Sequence, residues 1–222
     1  MNDRQPERER RAAQHAALGD AARLAIVDLL AASDATPTEV RRAVGISAPL
    51  LAHHLRVLEQ AGLVTRRRSD GDGRRSYLHL EPVGLAHGVP AVGRDVTRVL
   101  FVCTGNSSRS PLAAGVWSQV SDVRALSGGT RPAVAVAPGA VAVAERHGLD
   151  LGHHVPRSFR DVATDGDLVV TVCDQAHETI DDRGSLHWSL PNPARRGTAE
   201  AYEDTYAALR SRAAALAERI AA

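Results

Sequence analysis

Lysine is absent from this 222-residue chain, so all 27 basic side chains are arginine. We read that as a compositional habit rather than a mechanism. Cysteine occurs only twice, at Cys103 and Cys173. Two cysteines cannot build a disulfide framework in a chain of this size, which leaves each a candidate thiol nucleophile. Aromatic residues make up 3%, too few to expect an aromatic-walled pocket. No window approaches the roughly 18 uninterrupted apolar residues of a membrane span. The N-terminal "MNDRQPERERRAAQ" has no apolar segment of a secretory signal. The expected location is therefore the cytoplasm, with no membrane partner. The remaining composition is that of a globular chain, long enough for two small domains.

A net charge of +1 hides an uneven distribution. Residues 41–75 carry eight arginines against Glu59, Asp70 and Asp72. Such a local basic excess suits a nucleic-acid footprint. The same region reads as short helices. Asp20 can cap a helix through "AARLAIVDLLAA", with Leu24, Val27 and Leu30 at helical spacing. Thr36, Pro37 and Glu39 form a capping box with proline at the first helical position. Gly45 breaks that helix. Ser47 caps the next, with Leu51, Leu55 and Leu58 along one face, and Gly62 ends it. The two extended arms of "LVTRRRSDGDGRRSYLHL" around a glycine-rich turn then read as a hairpin, a wing beside a helix-turn-helix.

"ALGDAARLAIVDLL", "ISAPLLAHHLRVLEQAGLVTRRR" and "SYLHL" resemble the ArsR-type winged-helix repressors over roughly residues 12–80. The resemblance implies a DNA-binding regulator that is a homodimer through this domain, with residues 47–60 in the major groove. Arg66, Arg67, Arg68, Arg74 and Arg75 can neutralise phosphates. Base reading falls to the exposed face of the second helix, through His53, Ser47 and apolar contacts with thymine methyls, and Arg56 is a further DNA-binding candidate. Ala48 and Ala52 stand where the family often has polar residues, which points to weak sequence specificity. His54 reads as a packed core residue. Residues 1–102 hold no cysteine, so the thiolate metalloid site common in such sensors is absent, and no metal is expected.

Residues 82–96, rich in proline and glycine, read as a linker between a domain over 1–81 and another over 97–222. Beyond the linker, strand candidates at 98–103, 123–127, 167–172 and 185–189 alternate with helical segments at 111–120, 138–147 and 198–219. That pattern predicts a parallel sheet covered on both faces. The expected fold is thus a mainly α winged helix-turn-helix with a β wing, followed by an α/β three-layer domain.

"FVCTGNSSRSP" carries the chemistry. Cys103 and Arg109 are separated by five small polar residues, between a strand and a helix start. Backbone N–H groups of Thr104, Gly105, Asn106, Ser107, Ser108 and Ser110 can form an anion nest at the helix N-terminus. Arg109 adds a planar fork for two oxygens. The arrangement is a thiol nucleophile at the bottom of a cradle for a tetrahedral oxyanion such as arsenate or phosphate.

The loop resembles that of the low-molecular-weight protein tyrosine phosphatases, and within them the thiol-dependent arsenate reductases, over about residues 97–222. "LSGGTRPA", "PGAVAVAERHGLDL", "VVTVCDQAHE" and "LHWSLPNPA" extend the match. The resemblance implies a four-stranded parallel sheet, Cys103 as nucleophile and Arg109 as oxyanion binder. It further implies that Ser110 bonds the thiolate and that Asn106 shapes the loop. Cys173 matches the second cysteine of the thioredoxin-coupled enzymes, and the third would fall near Ile180. Asn192 replaces the aspartate that acts as general acid in the last loop. An amide cannot deliver a proton. The implied reductant is a low-molecular-weight thiol or a redoxin, with no bound cofactor, or else Cys173 alone where the two sulfurs reach disulfide distance; Cys173 also reads as a buried strand-end thiol. Two other readings stay open: an oxyanion-sensing regulator without turnover, and a tyrosine phosphatase. Of the remaining candidates, one of His153 and His154 could border the pocket, and Trp188 could wall it or sit in the core. Cys173 and His177 at i, i+4 spacing are too few for a metal site, and Glu200, Glu203 and Asp204 read as a solvated face.

Overall fold

The computed structural model describes residues 4–81, 96–180 and 185–221. The segment read as a linker lies, apart from Val96, outside them. The chain forms two compact units.

The first unit holds helices α1 (Arg4–Leu18), α2 (Ala21–Leu30), α3 (Pro37–Val44) and α4 (Ala48–Gln60), then strands β1 (Val64–Arg68) and β2 (Ser76–Leu80). Its helix starts follow local chemistry. The Asp20 carboxylate accepts from the N–H groups of Ala22 and Arg23, each at 3.0 Å. Thr36 and Glu39 close the capping box, and Gly45 ends α3 at φ 73°. Ser47 occupies the N-cap of α4 but makes no side-chain cap bond. The two strands pair antiparallel from Val64 opposite Leu80 to Arg68 opposite Ser76.

Two features differ from the sequence reading. The residue pattern gave no helix ahead of Asp20, yet α1 is there; its few apolar residues are mostly alanines, which leave little periodic signal. Leu24 is 45% exposed, while Ile26 is fully buried with Val27 and Leu30. Two residues turn a helix by roughly 200°, so burial of Ile26 puts Leu24 on the opposite side.

The second unit runs β3 (Arg98–Cys103), α5 (Arg109–Trp117), β4 (Arg124–Gly129), α6 (Pro138–Arg146), α7 (Phe159–Val162), β5 (Leu168–Thr171), α8 (Asp174–Ile180), β6 (Leu186–His187), α9 (Pro193–Arg196) and α10 (Ala199–Ala221). The four strands form one parallel sheet in the order β4-β3-β5-β6. Each predicted strand is present, the last reduced to two residues. β3 is central and buried from Val99 to Cys103, as a strand covered on both faces must be. Phe101 packs between Trp117 and Trp188, at 6.0 and 5.7 Å between ring centroids. Trp188 is thus a core residue and not a pocket wall. α5 packs on β3 and β4, and α10 packs on α5 and α6.

This strand order fixes where a ligand can sit. The chain leaves β3 for β4 on one side and later returns to β5 on the other. The carboxyl ends of β3 and β5 therefore flank the point where the order reverses, the usual binding crevice of an open α/β sheet. β3 ends at Cys103, and Cys173 follows β5 by two residues.

Candidate active site

The loop from Cys103 to Arg109 is held open by the segment after β4. The carbonyls of Cys103, Thr104, Gly105 and Ser107 accept from the N–H groups of Thr130 (3.0 Å), Arg131 (2.8 Å), Ala133 (2.8 Å) and Ala137 (2.8 Å). With its carbonyls tied outward, the loop keeps its own N–H groups for a ligand. Among the described residues, no acceptor takes those of Gly105, Ser107, Ser108 or Arg109. Together with the first turn of α5 they make an anion nest. The packing needs glycine at the end of β4. A Cβ on Gly129 would lie 2.8 Å from the Thr104 carbonyl oxygen and 3.0 Å from the Asn106 nitrogen.

Asn106 is the keystone of the loop. It is fully buried and adopts φ 48°, a left-handed conformation that asparagine tolerates better than most residues. Its amide uses all four hydrogen-bonding positions. Nδ2 donates to Ser110 Oγ (3.0 Å) and Ser127 Oγ (2.9 Å). Oδ1 accepts from the Arg157 N–H (3.0 Å) and from His154 Nε2 (3.1 Å). Burial pushes the His154 pKa below the ordinary histidine value, and the Arg157 charge lowers it further against the pull of the Asn106 bond. The ring is therefore neutral at pH 7 and donates through Nε2.

Cys103 lies 3.1 Å from Ser110 Oγ and accepts from the Asn106 N–H at 3.2 Å. Ser110 has one hydroxyl proton. Because it accepts from Asn106, that proton goes either to the Gly128 carbonyl at 3.3 Å or to the sulfur. A thiolate would attract it. Arg109 is buried, and one of its nitrogens donates to the Leu190 carbonyl at 2.8 Å. One anchor fixes the guanidinium plane and leaves further donors for an oxyanion. Ser108 is the N-cap of α5 but forms no cap bond, and its hydroxyl is buried without a partner among the described residues.

Cys173 is buried beside this loop. Its sulfur lies 3.4 Å from Thr104 Oγ1 and accepts from the Ala176 N–H at 3.4 Å. Burial pushes its thiol pKa up, with the Arg109 charge opposing and the Cys103 thiol adding to the rise. Thr104 also reaches Gln175 Oε1 at 3.2 Å. Asn192 is the N-cap of α9, and its Oδ1 accepts from the Ala194 N–H at 3.2 Å. It stands two residues after Leu190, whose carbonyl anchors Arg109.

The structure thus gathers Cys103, the 104–110 loop, Arg109 and Cys173, and brings the Asn192 segment to the guanidinium through Leu190. Of the two loop histidines, His154 borders the loop and His153 is exposed. Glu203 is not merely solvated, since it pairs with Arg146 and His147, each at 2.7 Å. No group of three or more metal-ligating side chains occurs among the described residues. The sequence reading missed Ser127, Arg157, Leu190, Asp174 and His187. The paired glycines of "LSGGT" are a signal that could have pointed to a strand end packed on the loop.

In the first unit Ser47, His53, Arg56, Arg66, Arg67, Arg68, Arg74 and Arg75 are all exposed. His54 is buried with the α4 core. Arg66 also pairs with Glu59 at 3.4 Å. Six of these eight side chains are arginines, and no helix of the described residues is long and apolar enough to cross a membrane.

Comparison with known proteins agrees with both units. Residues 98–222 match the family model of low molecular weight phosphotyrosine protein phosphatases, and residues 20–66 match that of bacterial regulatory proteins of the arsR family. An arsenate reductase of Bacillus subtilis is 33% identical over 110 residues, 46% of this chain and 78% of the relative. Arsenate reductase 2 of Staphylococcus haemolyticus is 29% identical over 113 residues, 48% of this chain and 86% of the relative. The crystal structure of a YwlE mutant from Bacillus subtilis superposes with TM-score 0.51 at 22% identity, covering 57% of this chain and 99% of that one. At that identity the likeness shows the fold. Through residues 98–222, more than half its length, the chain belongs to the low molecular weight phosphotyrosine protein phosphatase family, and it carries an arsR-family helix-turn-helix domain as well.

Proposed function

We propose that the chain is a thiol-dependent arsenate reductase fused to a DNA-binding transcriptional regulator, and that it works in the cytoplasm. One observation carries the choice of reaction. A second thiol, Cys173, sits at the rim of the Cys103 loop through Thr104, while Asn192 offers no proton to an ester leaving group. The arsenate reductases among the relatives support the same choice.

The chemistry balances with two thiols. The Cys103 thiolate attacks arsenic(V), an As–S bond forms, and an arsenate oxygen leaves as water with protons from solvent. Arg109 and the loop N–H groups hold the remaining oxygens, and Ser110 and the Asn106 N–H hold the sulfur. A second thiolate then attacks Cys103 Sγ. The S–S bond forms, the As–S electron pair stays on arsenic, and arsenite departs as arsenic(III). Two thiols have become one disulfide. Ile180 stands where a third cysteine would complete a relay, so the second thiol is a low-molecular-weight thiol or Cys173, and a redoxin or further thiol restores the enzyme.

The rival reading, a sensor that binds oxyanion without turnover, draws on the same Asn192 and Ile180. Single-turnover release of arsenite from arsenate, with and without excess low-molecular-weight thiol, separates the two. The expected result is stoichiometric arsenite, released without added thiol where Cys173 is the second thiol and only with it where a low-molecular-weight thiol is. Arsenate binding without release would replace the reductase by the sensor.

For the first unit the proposal is a homodimer that binds DNA through α4 and the β1–β2 arginines. Its affinity should fall steeply with salt. Arg67→Ala should lessen the slope of log affinity against log salt by about 0.9 for each phosphate that Arg67 neutralises. An unchanged slope would remove Arg67 from the interface.

A further inference from the structure

His187 is fully buried and lies outside the chemistry described so far. Its place is set by the register of the two-residue strand β6, where it stands opposite Thr171. From there the imidazole reaches both sides of Cys173. Nδ1 lies 2.9 Å from Thr171 Oγ1, and Nε2 lies 3.0 Å from Asp174 Oδ1. Thr171 precedes Cys173 by two residues and Asp174 follows it directly, and both are buried. Thr171 Oγ1 also lies 3.1 Å from the Leu186 carbonyl and 3.1 Å from His177 Nδ1. The His177 ring stacks on His187 with centroids 4.1 Å apart. Burial alone would raise the Asp174 carboxyl, but the bonds it accepts, that from His187 foremost, hold it below the usual carboxylate range. A buried carboxylate bound this way resists removal of its partner.

We propose that His187 and Asp174 are positioning residues, a clamp on either side of Cys173 that fixes the first turn of α8 and keeps the second thiol against Thr104 of the Cys103 loop. The Ala176 N–H that meets the Cys173 sulfur belongs to that same turn. Attack of a Cys173 thiolate on Cys103 Sγ needs the sulfur held on line with its target. With the clamp broken, α8 opens locally and Cys173 becomes available to any small electrophile. The meaning of this for turnover rests on the reductase reading, but the clamp itself can be tested without arsenate.

The test is the rate of Cys173 alkylation by iodoacetamide in the full chain carrying Cys103→Ser, which leaves one thiol. A thiol only 1% exposed reacts through local opening, so the rate reports how often α8 lets go. His187→Leu should raise it by at least about tenfold, the population change of one lost charge-assisted hydrogen bond, and Asp174→Ala by at least as much, since that carboxylate accepts more than one bond. Asp174→Asn keeps an acceptor for Nε2–H and should stay much closer to the native rate. The urea unfolding midpoint should fall too little to account for the increase. Should His187→Leu not fold, Asp174→Ala carries the test, since it removes no ring from the core. A rate within twofold of native in a folded variant overturns the proposal. So does an increase that tracks global unfolding in every variant, because that is what a merely structural pair would give. Neither result depends on arsenite release, so the failure of the clamp and the failure of the reductase reading are told apart.

Discussion

Cys103→Ser should abolish arsenite release while leaving oxyanion binding in place. The sulfur is the only atom at the base of the loop able to form the As–S bond and then accept attack by a second thiol. A serine alcohol there cannot become the sulfur half of a disulfide, so the reduction loses its electron source as well as its nucleophile. Removing a nucleophile from an assembled site costs on the order of 10⁴–10⁶-fold, and here the residual rate should be that of thiol and arsenate in solution. The cradle does not depend on the sulfur. Its carbonyls are tied by Thr130, Arg131, Ala133 and Ala137, and Arg109 is anchored on Leu190. Calorimetric titration of the serine variant with phosphate or arsenate should therefore give a Kd within several-fold of native. Arsenite release that survives the substitution would move the chemistry away from this loop. Loss of both release and binding would mean that the sulfur holds the loop in shape, and that its catalytic role must be read from another variant.

Several parts of this site were legible in the sequence because they are local. The apolar run of β3, the five small residues and Arg109 lie within a dozen positions, and strand, nest and fork follow from their order. The helix-turn-helix was legible for the same reason, through Asp20, Thr36, Glu39 and the αL glycines. What holds the loop is not local. Ser127, His154 and Arg157 reach Asn106 across 21 to 51 residues. Two of the decisive groups, the Arg157 N–H and the Leu190 carbonyl, are backbone atoms that any residue would supply. No residue type signals them. His187 was hidden differently, in a strand of two residues, too short for alternation to show. Leu24 shows the limit of periodicity in a ten-residue helix, where two stripes fit the spacing and only packing chooses between them.

Asn192→Asp should raise hydrolysis of aryl phosphates by about 10²–10⁴-fold, the usual worth of a positioned general acid. The substitution is structurally mild. Asn192 caps α9 through Oδ1, and aspartate is as good an N-cap as asparagine. Leu190 keeps the segment against Arg109, and a carboxyl at 192 is expected to reach the leaving oxygen of a bound phosphate monoester. With asparagine at 192 that oxygen would have to leave as an unprotonated anion, and the rate should depend strongly on how stable that anion is. Nitro-activated esters should therefore gain least from the aspartate, and unactivated phenyl or alkyl esters most. Because the acid must be protonated to act, the variant's rate should fall as pH rises through the aspartate's pKa. Arsenite release should change far less, since arsenate loses an oxygen that solvent can protonate. A parallel rise in both activities would mean that Asn192 limits a step common to them, such as attack by Cys103. No rise in either would place residue 192 away from the leaving group and remove the missing acid as an argument for arsenate over esters.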